Sequence, residues 1–289
     1  MQRLKGKIAV VTGASRGGGR GIALVLGEEG ATVYVTGRSV RGASTRPDLP
    51  DTTIEDTAEQ LTARGGVGIP VRCDHTVDDE VEALFKRVKQ EHGRLDILVN
   101  NVWGGYEQYD DRTFDLPFWE QPLWRWEKMF TAGVRAHYTA SRFAIPLMMA
   151  PCQGLIINTT AWDRNKYLGN VPYDLAKTAI NRMAYDMALE LREYNIAAVA
   201  LSPGWMRTED VLRRYKTDEQ NWQKIRELAP TESTQYVGRA VTALATDPDV
   251  MRKSGCVLVV ADLAREYGFT DVDGRQVPPF EIPEENLLD

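Results

Sequence analysis

The stretch VVTGASRGGGRGIALVLGEEGATVYVTGR, residues 10–38, decides the fold. An apolar, strand-like run leads into five glycines within nine residues, namely Gly13, Gly17, Gly18, Gly19 and Gly21. Apolar residues at helical spacing follow, and a second apolar run comes after them. A strand, a glycine-rich turn and a helix form an anion site, because backbone N–H groups and the helix dipole face a phosphate. We therefore expect the turn to bind a phosphate group.

The glycines divide by their predicted roles. The spacing Gly13-xxx-Gly17-x-Gly19 differs from the GxGxxG dinucleotide fingerprint by one residue in its first gap. We expect these three to shape the phosphate turn. Gly21 falls in the first turn of the helix, where it is predicted to allow close helix–sheet packing, and Gly18 is the surplus glycine.

Strand-like and helical patterns alternate along the rest of the chain. The strand-like runs are KIAVVTG, ATVYVTG, VGIPVRCD, RLDILVNN, GLIINTT, NIAAVALSPG and GCVLVVAD. Such alternation predicts the α/β class: a single doubly wound domain of the Rossmann type, with a seven-stranded parallel sheet in the order 3-2-1-4-5-6-7 and helices on both faces. Pro146 is expected to bend or end the long helix around it.

Two segments do not fit this alternation. Segments 103–123 and 204–232 follow strand ends, so we expect them to cover the ligand crevice at the carboxyl edge of the sheet. The loop 39–51 is rich in Pro, Asp and Arg. We predict a domain at 1–268 and a C-terminal tail at 269–289, which has three prolines and little periodicity.

Composition excludes several classes of protein. The 289 residues carry a net charge of −6, which argues against nucleic acid or an anionic membrane as a partner. We expect no transmembrane segment, because no apolar run approaches ~20 residues. The cysteines Cys73, Cys152 and Cys256 lie far apart without metal-like spacing, so we expect no metal site and a cytoplasmic location.

Arginines mark the predicted site for the cofactor ribose. The second strand ends in Gly37-Arg38, where NAD sites of this type usually carry an acid. Arg16 lies in the glycine turn, and a guanidinium suits a 2′-phosphate. We therefore predict NADP(H) rather than NAD(H), and interpret Arg41 and Arg46 as solvated loop charges.

Tyr173 and Lys177 form the candidate catalytic pair. Their spacing places them on one face of a helix. A free tyrosine has a pKa near ~10, and a nearby ammonium together with a positively charged nicotinamide would lower it towards neutral pH. The alternative interpretation is an ordinary exposed helix pair.

Five motifs occur in order with suitable gaps: TGASRGGG, CD at Cys73-Asp74, LVNN at 98–101, YDLAK at 173–177 and SPGWMRT at 202–208. With them the chain resembles the short-chain dehydrogenase/reductase family, from residue 5 to about 262. A narrower resemblance, to one branch with vertebrate and bacterial members, extends to about residue 276. It is carried by PFWEQP, GVRAHY, QGLII, NVPY, ATDPD and DLAREYGFTDVDGR.

The resemblance implies a nicotinamide-dependent carbonyl reductase or alcohol dehydrogenase. Tyr173 would give a proton to a carbonyl oxygen, or take one from an alcohol, while Lys177 would lower the Tyr173 pKa and bind the nicotinamide ribose. Asp74 would contact the adenine, Asn100 would line the adenosine side of the cleft, and Thr208 would bind the carboxamide. Asp74 and Thr208 could instead, or also, cap helices. The cofactor-binding set is then Gly13, Ser15, Arg16, Gly17, Gly18, Gly19, Arg38, Asp74, Asn100, Tyr173, Lys177, Pro203, Gly204 and Thr208.

The chain departs from the family pattern at the usual catalytic serine. Counting 13 residues back from the tyrosine gives Thr160, which keeps a hydroxyl donor. Aligning the strand gives Ala161 instead, which has no donor. We favour Thr160 as the third catalytic residue, with Thr159 as the alternative if the turn is shifted.

Two further positions depart from the resemblance. Gly133 replaces an asparagine that usually holds a water in the proton relay, and its carbonyl could still hold that water. His137 could substitute in the relay, although a lone histidine on a packed helix is more typical of a core. Gly18 replaces an apolar residue, so it leaves a gap beside the nicotinamide end or room for Trp103 or Trp205.

Aromatic residues are frequent in the predicted crevice loops, and they indicate an apolar pocket for a bulky carbonyl compound. We expect Trp103, Trp162 and Trp205 to face the substrate, because they lie nearest the strand ends. The alternative is a lid that packs on itself. The sequence therefore predicts an NADP(H)-dependent oxidoreductase acting on ketones, aldehydes or alcohols, or alternatively an NADP(H)-binding sensor or scaffold.

By resemblance, helices 122–149 and 171–194 would pair in a homodimer or homotetramer.

Overall fold

The computed structural model describes residues 2–49, 51–106, 111–162, 164 and 166–282. Strands in this part are β1 Ile8–Val11, β2 Thr32–Gly37, β3 Val67–Arg72, β4 Ile97–Asn100, β5 Gly154–Thr159, β6 Ile196–Ser202, β7 Met206–Arg207, β8 Glu232–Ser233 and β9 Val257–Val259. Helices are α1 Gly17–Glu28, α2 Ile54–Ala63, α3 Asp78–His92, α4 Asp111–Phe114, α5 Leu123–Met129, α6 Ala136–Met149, α7 Val171–Leu191, α8 Glu209–Arg214, α9 Thr234–Thr246 and α10 Val260–Tyr267.

Seven parallel strands form the main sheet, in the order β3-β2-β1-β4-β5-β6-β9. The predicted order is confirmed, with β9 as the seventh strand. Side chains alternate between the faces, so Val10 and Val11 belong to different apolar clusters. One cluster includes residues of α1, α2 and α9, and the other residues of α3 and α6. The carboxyl ends of β1, β4, β5 and β6 therefore share one edge, where the candidate site lies.

The long helix of segment 123–149 is continuous but not uniform. A π-helical segment, Phe130–Arg135, joins α5 to α6. Pro146 was expected to bend or end the helix. It does not end it, because α6 continues to Met149. Pro146 lies in the last turn, where its missing N–H costs a single backbone bond.

Segment 204–232 contains its own small structure. Strands β7 and β8 pair in parallel, with Met206 opposite Glu232. Leu212, Trp222 and Leu228 form a separate apolar cluster, against which Trp205 packs. The segment thus has the internal core that a long ordered loop requires.

Gly21 allows two helices to approach each other, and the predicted helix–sheet role is wrong. A Cβ at Gly21 would lie 1.9 Å from the carbonyl oxygen of Thr234, the first residue of α9. On the facing helix, a Cβ at Gly238 would lie 2.9 Å from the Gly21 carbonyl oxygen. The glycines of α1 and α9 therefore let the two backbones come into contact.

The chain after α10 folds back on the domain. Gly268 ends α10 with φ +73°. Val277 and Ile282 are buried, and Arg239 Nη1 donates to the Thr270 carbonyl at 2.5 Å. The division between domain and tail at residue 268 stays a prediction. Within the described ranges, no helix combines the length and apolarity that crossing a bilayer requires.

Replacing Gly21 by Ala should lower the free energy of unfolding by about 2 kcal/mol or more, because the added methyl overlaps the α9 backbone. Gly18→Ala on the same helix is the matched control, since its methyl meets the flexible Met206 side chain at 3.3 Å. The control should change stability by less than about 1 kcal/mol. Urea denaturation without cofactor measures both. Equal stability of the two variants would contradict the assignment of Gly21 to helix–helix packing.

Candidate active site

The glycine turn joins β1 to α1 and closes tightly on itself. Gly13 and Gly17 have φ values of +65° and +58°, the left-handed region that favours glycine. A Cβ at Gly19 would lie 2.3 Å from the Gly13 carbonyl oxygen. Asn101, just after β4, donates from Nδ2 to the same oxygen at 3.1 Å. Glycine is thus required at these three positions by the geometry of the turn.

An anionic group already lies at the start of α1. The Gly17 N–H donates to Glu209 Oε2 at 2.8 Å. Glu209 is the first residue of α8, and Arg20 Nη1 lies 3.8 Å from its other oxygen. The positive end of a helix dipole stabilises an anion at this position. A carboxylate thus occupies the place where the sequence pattern predicts a phosphate.

The space beside Gly18 is occupied by Met206. A Cβ at Gly18 would meet the Met206 Sδ at 3.3 Å and Asn101 Oδ1 at the same distance. The expectation of a gap, or of Trp103 or Trp205 at this position, is therefore wrong. Met206 supplies from β7 the apolar contact that glycine lacks.

Guanidinium groups cluster at the carboxyl end of β2. Arg16 donates from Nη1 to Ser39 Oγ at 3.2 Å and from Nη2 to Thr45 Oγ1 at 3.0 Å. Burial, and then the positive charges of Arg46 and Arg38, lower the pKa of Arg16, while Glu209 opposes them. Arg16 thus bonds to two hydroxyl groups at a place where Arg38, Arg46 and the carboxylates of Asp48 and Glu209 all act on its pKa.

Arg46 belongs to this cluster, so its interpretation as a solvated charge is wrong. Its Nη2 lies 2.7 Å from Asp48 and 2.6 Å from Asp210 of α8. Arg41, by contrast, is exposed and pairs with Asp56 and Glu59 of α2. The loop 39–51 is thereby joined to α8 across the glycine turn.

Of the two residues that could cap helices, Thr208 does so and Asp74 does not. Asp74 Oδ1 accepts from the Thr76 N–H at 3.0 Å, and Val77 is the N-cap of α3, so the cap alternative for Asp74 is wrong. Asp74 Oδ2 lies 3.9 Å from Arg38 Nη1. Thr208 does cap α8, since its Oγ1 accepts from the Val211 N–H at 3.3 Å.

Asn100 does not line the cleft, contrary to the prediction. Its side chain is fully buried and donates from Nδ2 to Ser141 Oγ and Asn158 Oδ1, both at 2.9 Å. Asn101 is the residue that faces the glycine turn, and the sequence interpretation missed it. The doubled asparagine in LVNN was the available signal, because successive strand residues point to opposite faces.

Tyr173 and Lys177 lie one turn apart at the start of α7. Asn170 caps the helix by accepting from the Tyr173 N–H at 3.0 Å. Lys177 is buried, with its Nζ 3.7 Å from the centroid of the Trp103 ring and 5.5 Å from that of Tyr173. Burial lowers the pKa of Lys177 to about 7. The alternative of an exposed helix pair is wrong, since Lys177 is enclosed and lies over an aromatic face.

The phenol of Tyr173 is enclosed by aromatic rings. Trp103 meets it edge-on with ring centroids 5.5 Å apart, and Tyr106 stacks on it at 6.4 Å. Burial, and then the hydroxyl of Tyr106, raise the pKa of Tyr173 well above its usual value. The Lys177 ammonium lies closer to the Trp103 ring than to the Tyr173 ring, and the predicted lowering, which also calls for a positively charged nicotinamide, stays a prediction.

Trp103 takes the space that a side chain at position 133 would need. A Cβ at Gly133, in the π-helical segment, would lie 2.7 Å from Trp103 Cζ3. His137, beyond this segment, is buried and its Nε2 lies 3.1 Å from the Val102 carbonyl oxygen. Burial lowers the pKa of His137 to about 3, so the ring stays neutral. These contacts fit the core interpretation of His137.

The hydroxyl of Thr160 has a backbone partner. Thr160 is buried, and its Oγ1 donates to the Lys177 carbonyl at 3.3 Å. Thr159 ends β5 and is only half-buried. In this conformation Thr160 therefore supports α7 rather than presenting its hydroxyl to a substrate.

The three tryptophans predicted to face substrate are in different environments. Trp103 contacts both Tyr173 and Lys177. Trp205 packs on Tyr215 with centroids 6.2 Å apart, in agreement with the self-packing alternative. Trp162 is half-buried, and its backbone N–H donates to Ser202 Oγ at 2.9 Å.

The turn after β6 approaches a buried acid. A Cβ at Gly204, which follows Pro203, would lie 2.8 Å from Glu232 Oε2. Burial raises the pKa of Glu232 to about 8, so this carboxyl is mostly protonated at neutral pH. A neutral acid behind Gly204 adds no repulsion to the anion site.

Comparison with known proteins gives the same assignment as the motifs. The short chain dehydrogenase family model matches residues 7–220. The chain is 40% identical over 283 residues to Dehydrogenase/reductase SDR family member 1 of Mus musculus, covering 96% of this chain and 87% of that protein.

Two solved structures contain bound ligands. A 7α-hydroxysteroid dehydrogenase complexed with NADH and 7-oxo glycochenodeoxycholic acid has a TM-score of 0.70 and 26% identity, covering 89% of this chain and 94% of that one. A metagenomic short-chain oxidoreductase in complex with NADP has a TM-score of 0.66 and 25% identity, covering 89% of this chain and 97% of that one. Together with the family match over residues 7–220, these similarities show that the chain belongs to the short-chain dehydrogenase/reductase family of oxidoreductases.

Proposed function

We propose that the protein is an NADP(H)-dependent enzyme that interconverts a ketone or aldehyde with an alcohol, and that its substrate is bulky and apolar or aromatic. The observation that carries the proposal is the enclosed pair of Tyr173 and Lys177 beside Trp103, at the carboxyl edge of the sheet. The 7-oxo steroid bound by a relative supports a bulky carbonyl substrate.

The residues present fit a nicotinamide dinucleotide. The turn of Gly13, Gly17 and Gly19 would hold the pyrophosphate once Glu209 moves aside, because the Gly17 N–H already donates to a carboxylate. Arg16 and Arg38 would hold a 2′-phosphate. The hydroxyls of Ser39 and Thr45, which contact Arg16, extend this site. The remaining cofactor contacts proposed from family resemblance are those of Ser15, Gly18, Asp74, Lys177, Pro203, Gly204 and Thr208.

A bound nicotinamide would supply the hydride to a carbonyl carbon or accept it from an alcohol carbon. Tyr173 would donate the proton to the carbonyl oxygen, or remove it from the alcohol. Lys177, with a pKa of about 7, is partly charged at neutral pH, and its charge favours the phenolate when the ammonium lies near the phenol. Trp103 would exclude water from this pair.

A sensor or scaffold with little turnover is the second candidate. Trp103 occupies the place of the usual relay side chain, and Thr160 is bonded to the Lys177 carbonyl. Both observations favour weak catalysis. Kinetics of Tyr173 variants separate the two functions.

Replacing Tyr173 by Phe should lower kcat for NADPH-dependent ketone reduction by about 10²-fold or more, because the general acid is lost. The NADPH dissociation constant should change by less than about threefold, since the phosphate sites remain. Tyr167→Phe, at a tyrosine in the preceding loop, is the control. Tight NADPH binding with no turnover in the wild type would favour the sensor instead.

Valine substitution separates the two candidate hydroxyls, since valine keeps the branched shape of threonine. If Thr160 contacts the substrate oxygen, Thr160→Val should lower kcat by about tenfold or more while Thr159→Val has little effect. The reverse order would assign the role to Thr159. Initial rates at saturating NADPH, with thermal melting as a check on folding, provide the measurement.

Replacing Arg38 by Asp should weaken NADPH binding by about tenfold or more relative to NADH, because a carboxylate repels the 2′-phosphate and accepts from ribose hydroxyls. Arg16→Ala should act in the same direction. Arg41→Ala is the matched control, since this exposed arginine pairs with Asp56 and Glu59 of α2. Fluorescence titration with both cofactors gives the ratio, and an unchanged ratio in Arg38→Asp would refute the cofactor assignment.

Association through the long helices is also proposed. Tyr138 on α6, and Tyr185 and Leu189 on α7, are 55%, 46% and 60% exposed. Exposed apolar side chains on neighbouring helices suit a helix–helix contact between copies. A homodimer or homotetramer through these faces remains a proposal, as does a cytoplasmic location.

A further inference from the structure

A buried arginine ties the turn after β6 to the C-terminal segment. Arg207 of β7 is 1% exposed and donates from Nη1 to the Thr231 carbonyl at 2.8 Å. Its guanidinium lies 3.8 Å from the Trp222 ring centroid. Carboxylates of Asp271 and Asp273 lie 3.9 Å from its Nη2. A buried cation needs such compensation, so the position of Arg207 depends on the segment that follows α10.

Asp271 is the main anchor of this segment. It is buried, and its Oδ2 accepts from the Ser233 N–H at 2.8 Å, while its Oδ1 accepts from the Ser233 hydroxyl. Arg275 donates from Nη2 to the Thr231 carbonyl at 3.0 Å. Because β8 pairs with β7, these bonds hold the strand that carries Met206 next to the glycine turn.

The far end of the segment lies near both the turn after β6 and the loop between β5 and α7. The Cβ of Phe280 lies 3.8 Å from the position of a Cβ at Gly204. Lys166, in the loop between β5 and α7, donates to the Ile282 carbonyl at 3.0 Å. Ile282 is 8% exposed, whereas Phe280 is 51% exposed. The segment therefore bridges two loops, one carrying Trp162 and the other Trp205.

We propose that the end of the segment 269–282, with Phe280 and Ile282, forms the outer wall of the substrate site, and that Phe280 limits the size of the carbonyl compound that enters. The proposal rests on the carbonyl–alcohol function proposed above. Phe280 lies beside the turn after β6 and retains an accessible aromatic surface that a bulky apolar substrate can use. Arg207 and Asp271 are positioning residues, because they fix this segment and the turn without touching the substrate.

The first part of the segment is held in place by contacts within the protein, so no substrate is needed to explain its position. Phe269 packs edge-on against Tyr236 with centroids 5.4 Å apart, and Gln276 donates to the Ala264 carbonyl at 3.2 Å. These contacts lie against α9 and α10. Phe280 and Ile282 extend beyond them, to the crevice loops. The anchor and the wall are thus separate parts of one segment and can be tested separately.

Phe280→Ala tests the wall. Rates of NADPH-dependent reduction are measured for cyclohexanone and for 7-oxo glycochenodeoxycholic acid, a small and a bulky ketone. In Phe280→Ala, the ratio of kcat/KM for the bulky ketone to kcat/KM for the small ketone should rise at least fivefold. In Phe280→Trp the same ratio should fall. The KM for NADPH should stay unchanged in both variants. Val272→Ala, at an equally accessible apolar residue of the anchor part, should leave the ratio unchanged. A ratio within twofold of wild type in both Phe280 variants would overturn the proposal.

Binding distinguishes failure of the wall from failure of the proposed function. A wild type that binds NADPH and reduces neither ketone contradicts the reductase function. In that case, calorimetric titration of the NADP⁺ complex with the same two ketones replaces the rates. A larger affinity gain for the bulky ketone in Phe280→Ala supports the wall. Equal affinities, or no binding by either protein, contradict it.

Asp271→Asn tests the positioning role with little change in shape. The KM for the bulky ketone should rise at least threefold, while kcat and the dissociation constant of NADPH change by less than twofold. A merely structural role would lower the melting temperature and leave the ratio of KM values for the two ketones at its wild-type value. That outcome would overturn the positioning role of Asp271.

Discussion

The lack of a Cβ at Gly19 is the constraint on which the rest of the site depends. With the Gly13 carbonyl 2.3 Å from where that Cβ would be, any other residue would push α1 away from β1. Asn101 bonds to the same carbonyl, so the end of β4 is aligned with the turn. The axis of α1 is then fixed, and its first N–H groups are available to an anion. The carboxylate of Glu209 shows that this position binds negative charge.

Trp103 determines the surroundings of Tyr173 and Lys177, as Gly19 determines those of the glycine turn. Its indole fits against Gly133 because that residue has no side chain, and the ring then covers the Lys177 ammonium and meets the Tyr173 phenol. Cation–π contact compensates part of the cost of burying Lys177, while burial still lowers its pKa. The glycine at position 133 thus makes room for the large Trp103 ring, and the surroundings of the candidate catalytic pair become aromatic.

Local patterns in the sequence were sufficient for the strand order, the glycine turn and the Tyr173–Lys177 pair, because each depends on residues within one strand–helix unit. The errors concern contacts between distant parts of the chain. Gly21 packs on Thr234, Gly18 meets Met206, and Arg46 pairs with Asp210. Neither spacing nor residue type encodes such partners. The burial of Asn100 was foreseeable from strand alternation, whereas the backbone bond of Thr160 depended on how β5 and α7 pack.

Residues 207–210 connect the glycine turn with the loop 39–51 and with the C-terminal segment. Arg207 binds the C-terminal segment, Thr208 caps α8, Glu209 accepts from the glycine turn, and Asp210 pairs with Arg46 of the loop 39–51. Because these residues are adjacent, a shift of the β7–α8 turn changes the substrate side and the phosphate side together. In the proposed complex, a phosphate at Gly17 would displace Glu209. Arg46 could then pair either with Asp210 or with the phosphate. The described contacts thus connect the glycine turn, through Glu209 and the nearby Arg207, with the segment that holds Phe280.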